Sequence, residues 1–237
     1  MKTKKVVKKK FNFKKFLVLV LMVYLVISGT FYLLKRPVKN IIITGNKEVK
    51  DYEIIEAANL KNYPSFISIS KSKIIKSLKE NPLIKDVSVK KNFKFQITIN
   101  VTEEKAVAYS LTNQSYLLSS GDYISDVIFL GVPQLNNYTP EDVLKSFAEE
   151  LGKLDEDIID DISEIEYSPS KNEAGETIDS TRFKLKMKDG NTVYTNVKKC
   201  NVLSYYNQIY ASLKDKKGVL NLDSGNYERY VLTLYEE

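Results

Sequence analysis

The stretch from Phe16 to Leu34 contains no charged side chain, and it constrains this chain more than any other feature. Its 19 residues would form a helix about 28 Å long, close to the roughly 30 Å hydrocarbon core of a bilayer. Eight lysines precede it, whereas only Lys35 and Arg36 follow closely. The positive-inside rule therefore predicts a cytoplasmic N-terminus and an extracytoplasmic chain after Arg36.

A cleaved secretory signal is the alternative, because it also has a basic start and an apolar core. Signal cores usually span about 7–15 residues and end at an A-x-A-like site. This run is longer and continues through Phe31–Leu34 without two suitably spaced alanines. We therefore predict a retained transmembrane anchor at residues 16–34, preceded by a basic cytoplasmic tail at residues 1–15.

The net charge of +6 divides unevenly along the chain. Residues 1–36 hold ten of the 36 Lys and Arg residues and no acid, so the remainder carries 26 positive against 30 negative charges, a net of −4. The basic charge thus lies beside the apolar stretch, where it orients the helix and favours anionic lipid. No motif indicates a nucleic-acid partner.

The chain contains no histidine and one cysteine, Cys200. An internal disulfide is therefore impossible, and the commonest general base and metal ligand are missing. The acidic run from Asp155 to Asp161 does not match the spacing of a calcium loop and reads as a solvated face. Ser-x-x-Lys spacings such as Ser68 to Lys71 lack the companion motifs of penicillin-binding enzymes. We predict no catalytic residue, cofactor, metal site or small-molecule substrate.

The residues after the anchor have the pattern of a small sheet covered by two helices. Phe93 begins the clearest periodicity, in which apolar and polar residues alternate as far as Thr102, as in a strand with one wet face. Lys91-Asn92 would form the hairpin turn before it. The predicted elements are a strand at 38–44, a helix capped by Asp51, a helix at 71–80 capped by Ser70, and strands at 84–90 and 93–102.

This order, together with short phrases along it, resembles the FtsQ/DivIB family of bacterial division proteins. The phrases are Ile42-Ile43-Thr44-Gly45-Asn46, Phe66-Ile67-Ser68-Ile69, Asn81-Pro82 and Val101-Thr102-Glu103-Glu104. The resemblance implies that residues 38–105 form a polypeptide-transport-associated (POTRA) domain with the order β-α-α-β-β. It also implies a membrane protein of the division septum.

Residues 106–237 predict a mostly antiparallel β domain with flanking helices, which makes the whole chain α+β. Asp189-Gly190 is a strong hairpin turn, and residues 168–180 read as an exposed polar loop. The predicted strands are 106–111, 115–119, 162–168, 181–188, 192–197, 218–222 and 229–235. Two helices are predicted. The first is capped by Thr139, has Pro140 at its first position and ends at Gly152. The second spans residues 202–213.

The resemblance implies that the C-terminal region contacts small bitopic division proteins similar to DivIC/FtsB and FtsL. The family's Asp-Ser-Gly turn is recognisable at Asp223-Ser224-Gly225. Six of the sixteen tyrosines lie in the last 33 residues; tyrosine is favoured in interfaces but also packs well in sheets. The predicted partner-binding residues are Leu222, Asp223, Ser224, Gly225, Tyr227, Tyr230 and Leu232.

A membrane-anchored, non-enzymatic scaffold of the division machinery is the function that this resemblance implies. Two other classes stay open from the sequence: a POTRA-type chaperone for secreted proteins, and a tethered cell-wall enzyme.

Overall fold

The computed structural model describes residues 12–212, 216–223 and 231–235. The chain is α+β, as predicted, and divides into two compact units. The first unit comprises the chain up to Glu80 together with Asp86–Val101, and the second comprises Asn81–Lys85 and the chain from Thr102 onward.

The apolar stretch forms helix α1, Phe13–Leu34, which begins three residues before the predicted anchor. Its 22 residues give a length of about 33 Å, enough to cross a bilayer. The hydroxyl of Thr30 donates to the Val26 carbonyl at 2.7 Å, and that of Ser28 donates to the Leu25 carbonyl at 3.2 Å. These polar side chains are therefore satisfied within the helix, as a lipid environment requires.

The first unit contains a three-stranded sheet and two helices in the predicted order β-α-α-β-β. The strands lie in the order β1-β3-β2, and β1 runs parallel to β3 with Ile41 opposite Ile97. The elements are β1 (Asn40–Thr44), α2 (Asp51–Ala57), α3 (Lys71–Leu78), β2 (Ile84–Asn92) and β3 (Gln96–Glu103).

Alternation along β3 holds only for its later part. Ile97, Ile99 and Val101 are buried, whereas Phe93 is fully exposed. The turn is Phe93–Phe95 rather than Lys91-Asn92, because the Asn92 carbonyl oxygen accepts from the Phe95 N–H at 3.2 Å. Phe95 adopts a φ of +60°, the left-handed residue that closes a three-residue hairpin.

The helix starts of the first unit agree with prediction at Ser70 and differ at Asp51. The Ser70 hydroxyl accepts from the Lys73 N–H at the start of α3. Lys50, not Asp51, is the N-cap of α2, and its N–H donates to Glu53 Oε2 at 3.4 Å. Asp51 instead lies in the first turn of α2, where its negative charge interacts favourably with the positive end of the helix dipole.

The second unit is built on a nine-stranded sheet in the order β14-β13-β12-β11-β8-β7-β4-β5-β6. Parallel pairs join β4 to β7, β7 to β8 and β12 to β13, and the other neighbours are antiparallel. The strands of this unit, including the separate pair β9–β10, are β4 (Ala106–Ser110), β5 (Ser115–Leu118), β6 (Tyr123–Ile124), β7 (Gln134–Leu135), β8 (Ile162–Tyr167), β9 (Ser170–Lys171), β10 (Thr177–Asp179), β11 (Arg182–Met187), β12 (Thr192–Asn196), β13 (Gly218–Asn221) and β14 (Val231–Leu234).

One face of this sheet is covered by helices and the other carries charged side chains. Phe183 on β11 stacks against Phe147 on a helix, with ring centroids 3.7 Å apart. On the other face, Lys186 pairs with Glu164 at 2.8 Å across neighbouring strands. The helical segments are α4 (Glu141–Leu151), α5 (Glu156–Asp160), a 3₁₀ segment (Val197–Tyr205) and α6 (Tyr206–Ser212).

Three predictions for the second unit are corrected. Pro140, in extended conformation with ψ 136°, is the N-cap of α4 in place of Thr139, whose hydroxyl is buried without a hydrogen-bond partner among the described residues. The segment 168–180 is a hairpin of β9 and β10 rather than a loop. The Asn172 N–H donates to the Glu176 carbonyl oxygen, and the Asn172 side-chain amide donates to Glu176 Oε2. The predicted helix at 202–213 is partly a 3₁₀ segment that begins at Val197.

Substitution of Gly45 tests the close packing at the end of β1. Gly45 and Gly175 both have φ near +85°, but a Cβ on Gly45 would collide with the Val101 carbonyl oxygen, whereas Gly175 has open space around it. Gly175→Ala should cost only about 1 kcal/mol of backbone strain. Gly45→Ala adds a collision worth about 1–3 kcal/mol.

Hydrogen exchange of the full chain in detergent micelles measures both effects locally. We expect amides of β1 and β3 to exchange roughly tenfold or more faster in Gly45→Ala. Equal, small effects around both glycines would show that the contact with Val101 is unimportant.

Cys200 offers a second test of the core of the second unit. Its side chain is fully buried, and burial raises the pKa of the thiol from its ordinary value near 9 to about 12. Because the thiol form is favoured, this burial stabilises the fold below pH 9 and loses its effect as the pH rises toward 12. At pH 8 the native full chain should therefore resist thiol reagents, whereas the urea-unfolded chain should react with one equivalent. Rapid labelling of the native chain would contradict this packing.

Candidate partner-binding edge

The strand β14 lies at one end of the nine-stranded sheet. It pairs antiparallel with β13, and Leu232 lies opposite Leu220 while Thr233 lies opposite Val219. In the part of the chain that the structure describes, no strand pairs with the other side of β14. Its outer backbone groups are therefore a template for an added strand.

Ladder alternation identifies which backbone groups of β14 point outward. The Tyr235 N–H donates to the Lys217 carbonyl oxygen at 3.2 Å, so the backbone groups of Tyr235 point toward β13. In an antiparallel ladder this direction alternates from residue to residue. The backbone groups of Thr233 therefore also point toward β13, whereas the N–H and C=O groups of Leu232 and Leu234 point away from it. The side chains of Thr233, Leu234 and Tyr235 are exposed.

The inner strand of this pair is held by a buried polar network. The Gly218 N–H donates to Asn191 Oδ1 at 2.9 Å, and the Asn191 amide donates to the Tyr206 hydroxyl at 3.1 Å. That hydroxyl in turn donates to Asp189 Oδ2 at 2.7 Å. Burial, and then the bond to Asp189, raise the pKa of Tyr206 well above its ordinary range. Tyr206 therefore remains a neutral donor that fixes the hairpin around Asp189.

Close backbone approach at Gly218 brings β14 against β13. A Cβ at this position would collide with the carbonyl oxygen of Thr233 and lie 2.9 Å from Leu234 Cα. The outer end of β14 is tied down separately, because the Tyr235 hydroxyl donates to Thr192 Oγ1 at 2.7 Å. The edge strand is thus attached both by its ladder and by a side chain that crosses to β12.

An ion pair marks the point where the chain leaves β13. Arg182 Nε lies 2.5 Å from Asp223 Oδ2, and both side chains are largely buried. The guanidinium also stacks over the Tyr194 ring at 3.8 Å, and the Tyr194 carbonyl oxygen accepts from the N–H of Leu222 at 2.8 Å. Loss of one partner would leave a buried charge, which is strongly destabilising.

The predicted partner-binding residues fall into three groups. Leu222 is fully buried in the core, and Asp223 is held by Arg182, so both side chains support the sheet rather than present a surface. Leu232 lies on the edge strand, where its backbone points outward. The remaining four, Ser224, Gly225, Tyr227 and Tyr230, lie outside the described residues.

Sequence reasoning missed the residues that hold this edge in place. Arg182 is 41 positions from Asp223, and Asn191 is 27 positions from Gly218. No local pattern relates such positions, because their contacts depend on the strand order. The proximity of Asn191 to the predicted Asp189-Gly190 turn was the one available signal.

The structure also reports on the other chemical candidates. Cys200 is buried with a raised pKa, which is the environment of an inert thiol. Much of the acidic run forms the short helix α5, where Ile158 and Ile159 are buried. Among the described residues, no cluster of acidic or cysteine side chains is arranged to hold a metal ion.

Comparison with known proteins connects both units to one family. The sequence profile of the FtsQ-type POTRA domain matches residues 36–104. The cell division protein DivIB of Listeria monocytogenes is 32% identical over 213 residues, which cover 86% of this chain and 77% of that protein. DivIB of Bacillus subtilis is 30% identical over 197 residues, covering 80% of this chain and 73% of that protein.

A solved structure is also similar in part. The major extracytoplasmic domain of the trans isomer of DivIB from Geobacillus stearothermophilus matches 48% of this chain and 96% of that domain, with 23% identity and a TM-score of 0.37. The family assignment comes from the sequence relatives, since the Listeria and Bacillus proteins align along most of their length. This chain belongs to the FtsQ/DivIB family of bacterial cell-division proteins and carries its POTRA domain.

Proposed function

We propose that this chain is a non-enzymatic, membrane-anchored scaffold that recruits or stabilises septal division proteins at midcell. Its partners would be small bitopic proteins similar to DivIC/FtsB and FtsL. The observation that carries the proposal is the outer edge of β14, where the backbone groups of Leu232 and Leu234 point away from the sheet. An extended segment of a partner would extend the sheet there by β-augmentation.

Two properties of this edge support a binding role. Tyr235 and Leu234 are each about half exposed, at 45% and 47%, and they offer apolar contact area beside the free backbone groups. The strand is short and is held to β12 by the Tyr235 hydroxyl. An edge that is already ordered loses less conformational entropy when a partner strand is added.

The POTRA unit would offer a further recruitment surface. Strand β1 is an edge of the three-stranded sheet, and Ile42 on β1 is exposed. In our proposal the backbone of this edge and the helix-lined face give this unit its own contacts with division proteins.

Membrane attachment gives the scaffold its working geometry. The proposal takes α1 to cross the cell membrane once, with the basic N-terminal tail in the cytoplasm and both units outside, at the division septum. Confinement to the membrane plane raises the effective concentration of this chain relative to other anchored proteins. Modest contacts at several surfaces would then suffice for a stable assembly.

Proline substitutions on β14 distinguish the outer edge from the ladder. Leu234→Pro removes an outward N–H and should weaken binding of the full chain to the DivIC-like protein of the same bacterium by roughly tenfold or more. Leu234→Ala removes the same side chain but keeps the N–H, so it should bind within a fewfold of the unchanged chain. A pull-down titration of the two full-length proteins in detergent measures both.

Thr233→Pro is the control for strand integrity, because the Thr233 N–H faces β13. It should release β14 and accelerate hydrogen exchange in β13, whereas Leu234→Pro should leave that exchange unchanged. If Leu234→Pro binds as well as Leu234→Ala while its strand remains protected, β-augmentation at this edge is wrong.

A further inference from the structure

Three segments of the first unit converge just after the end of α1. The Arg36 carbonyl oxygen accepts from the Phe66 N–H at 2.9 Å, and the Val38 N–H donates to the Pro64 carbonyl at 3.1 Å. The Lys39 N–H donates to the Phe95 carbonyl at 2.8 Å. The residues that follow the helix are therefore flanked by the 64–69 loop and by the tip of the β2–β3 hairpin.

Side chains tie the loop and the hairpin tip together. The Lys91 ammonium donates to the carbonyl oxygens of Phe66 at 2.6 Å and Ile69 at 3.0 Å. It also lies 4.5 Å from the centre of the Phe66 ring, and that ring packs edge-on against Phe95 at 5.5 Å. The end of the unit is thus one ordered structure rather than two separate loops.

Chain length places this end close to the bilayer if α1 spans it. Helix α1 ends at Leu34, and two residues of chain reach at most about 7 Å, so Arg36 and the loop bonded to it lie within roughly 10 Å of the helix end. The polar layer on each side of a bilayer is about 5–8 Å thick. With α1 in the bilayer, the 64–69 loop would then lie at or next to the lipid headgroups. The hairpin tip would lie beside it, because the Phe95 ring packs against Phe66.

The exposed side chains at this end are apolar and basic. Phe93 is 102% exposed and Ile67 is 48% exposed, although neither contributes to the core. Segments 35–39, 64–71 and 91–95 contain six cations and no acid. The six are Lys35, Arg36, Lys39, Lys71, Lys91 and Lys94.

An apolar tip surrounded by cations is the composition of a surface that binds the membrane interface. Phenylalanine on the apolar side of an interfacial surface enters the boundary between headgroups and acyl chains. Each lysine or arginine near an anionic surface contributes about 1 kcal/mol. The cation–π contact of Arg36 with the Tyr32 ring, at 5.7 Å, lies at the same level on the helix.

We propose that this end of the POTRA unit is a membrane-docking surface, in which Phe93 enters the lipid interface while Lys39 and Lys94 contact anionic headgroups. The surface would hold the unit against the bilayer, so that α1 and the POTRA sheet move together. The proposal requires α1 to span the membrane and is independent of the partner contacts at β14.

Tryptophan fluorescence tests this docking directly, because the natural chain contains no tryptophan. The full-length F93W chain is placed in nanodiscs of phosphatidylcholine and phosphatidylglycerol, with or without bromine on the acyl chains. We expect a blue-shifted emission and a strong loss of intensity with the brominated lipids. Adding Lys39→Glu and Lys94→Glu to the F93W chain should reduce that loss of intensity.

Y52W is the matched control in the same unit. Tyr52 is also exposed, at 64%, but it follows the far end of β1, about 16 Å farther from the helix end. Its fluorescence should not respond to brominated lipid. Quenching of F93W no greater than that of Y52W would overturn the proposal.

L25W, in the middle of α1, distinguishes failure of the surface from failure of the anchor. It must be quenched if the helix is inserted. Quenching of L25W without quenching of F93W would refute the docking surface alone, whereas no quenching of L25W would refute the anchor on which it depends.

Discussion

The stacking of Phe183 against Phe147 joins the centre of the large sheet to the helices that cover it. Phe183 lies on β11, and the strands β12, β13 and β14 follow outward from it in that order. Each outer strand is positioned by its inner neighbour, so the geometry of the edge depends on this apolar contact. Buried polar groups position β13 at both ends. Asn191 accepts from the N–H of Gly218 at its start, and Arg182 pairs with Asp223 just after its end.

Sequence patterns predicted most of the helices and strands, because interactions between residues close in sequence determine them. The buried Ile97, Ile99 and Val101 show period two, and the Asp189-Gly190 turn and the Ser70 cap depend on neighbours within three residues. Phe93 and Phe95 continued the same alternation and misled the prediction, because periodicity cannot reveal where a hairpin turns. The Asn92 hydrogen bonds that close the turn only become apparent in three dimensions.

The candidate edge could be predicted only in outline. A final strand was expected, but its place at the end of the sheet depends on a strand order that no local pattern contains. Leu222 and Asp223 were predicted from a turn motif, and no local pattern indicates that Leu222 is buried or that the N–H groups of both residues donate to the Tyr194 carbonyl oxygen. The ion pair of Asp223 with Arg182 spans 41 positions, and its recognition requires the folded sheet.

In the proposed scaffold, the two units offer two kinds of surface. The first has an apolar, basic end beside the membrane helix, and the second has a free strand whose outward groups suit an extended partner. The central claim is that these surfaces serve a scaffold of the division septum. Time-lapse fluorescence of the chain, tagged at its N-terminus in dividing cells, tests this claim most directly. The account predicts a band at midcell that appears with the constriction; a uniform membrane signal throughout the cycle would contradict it.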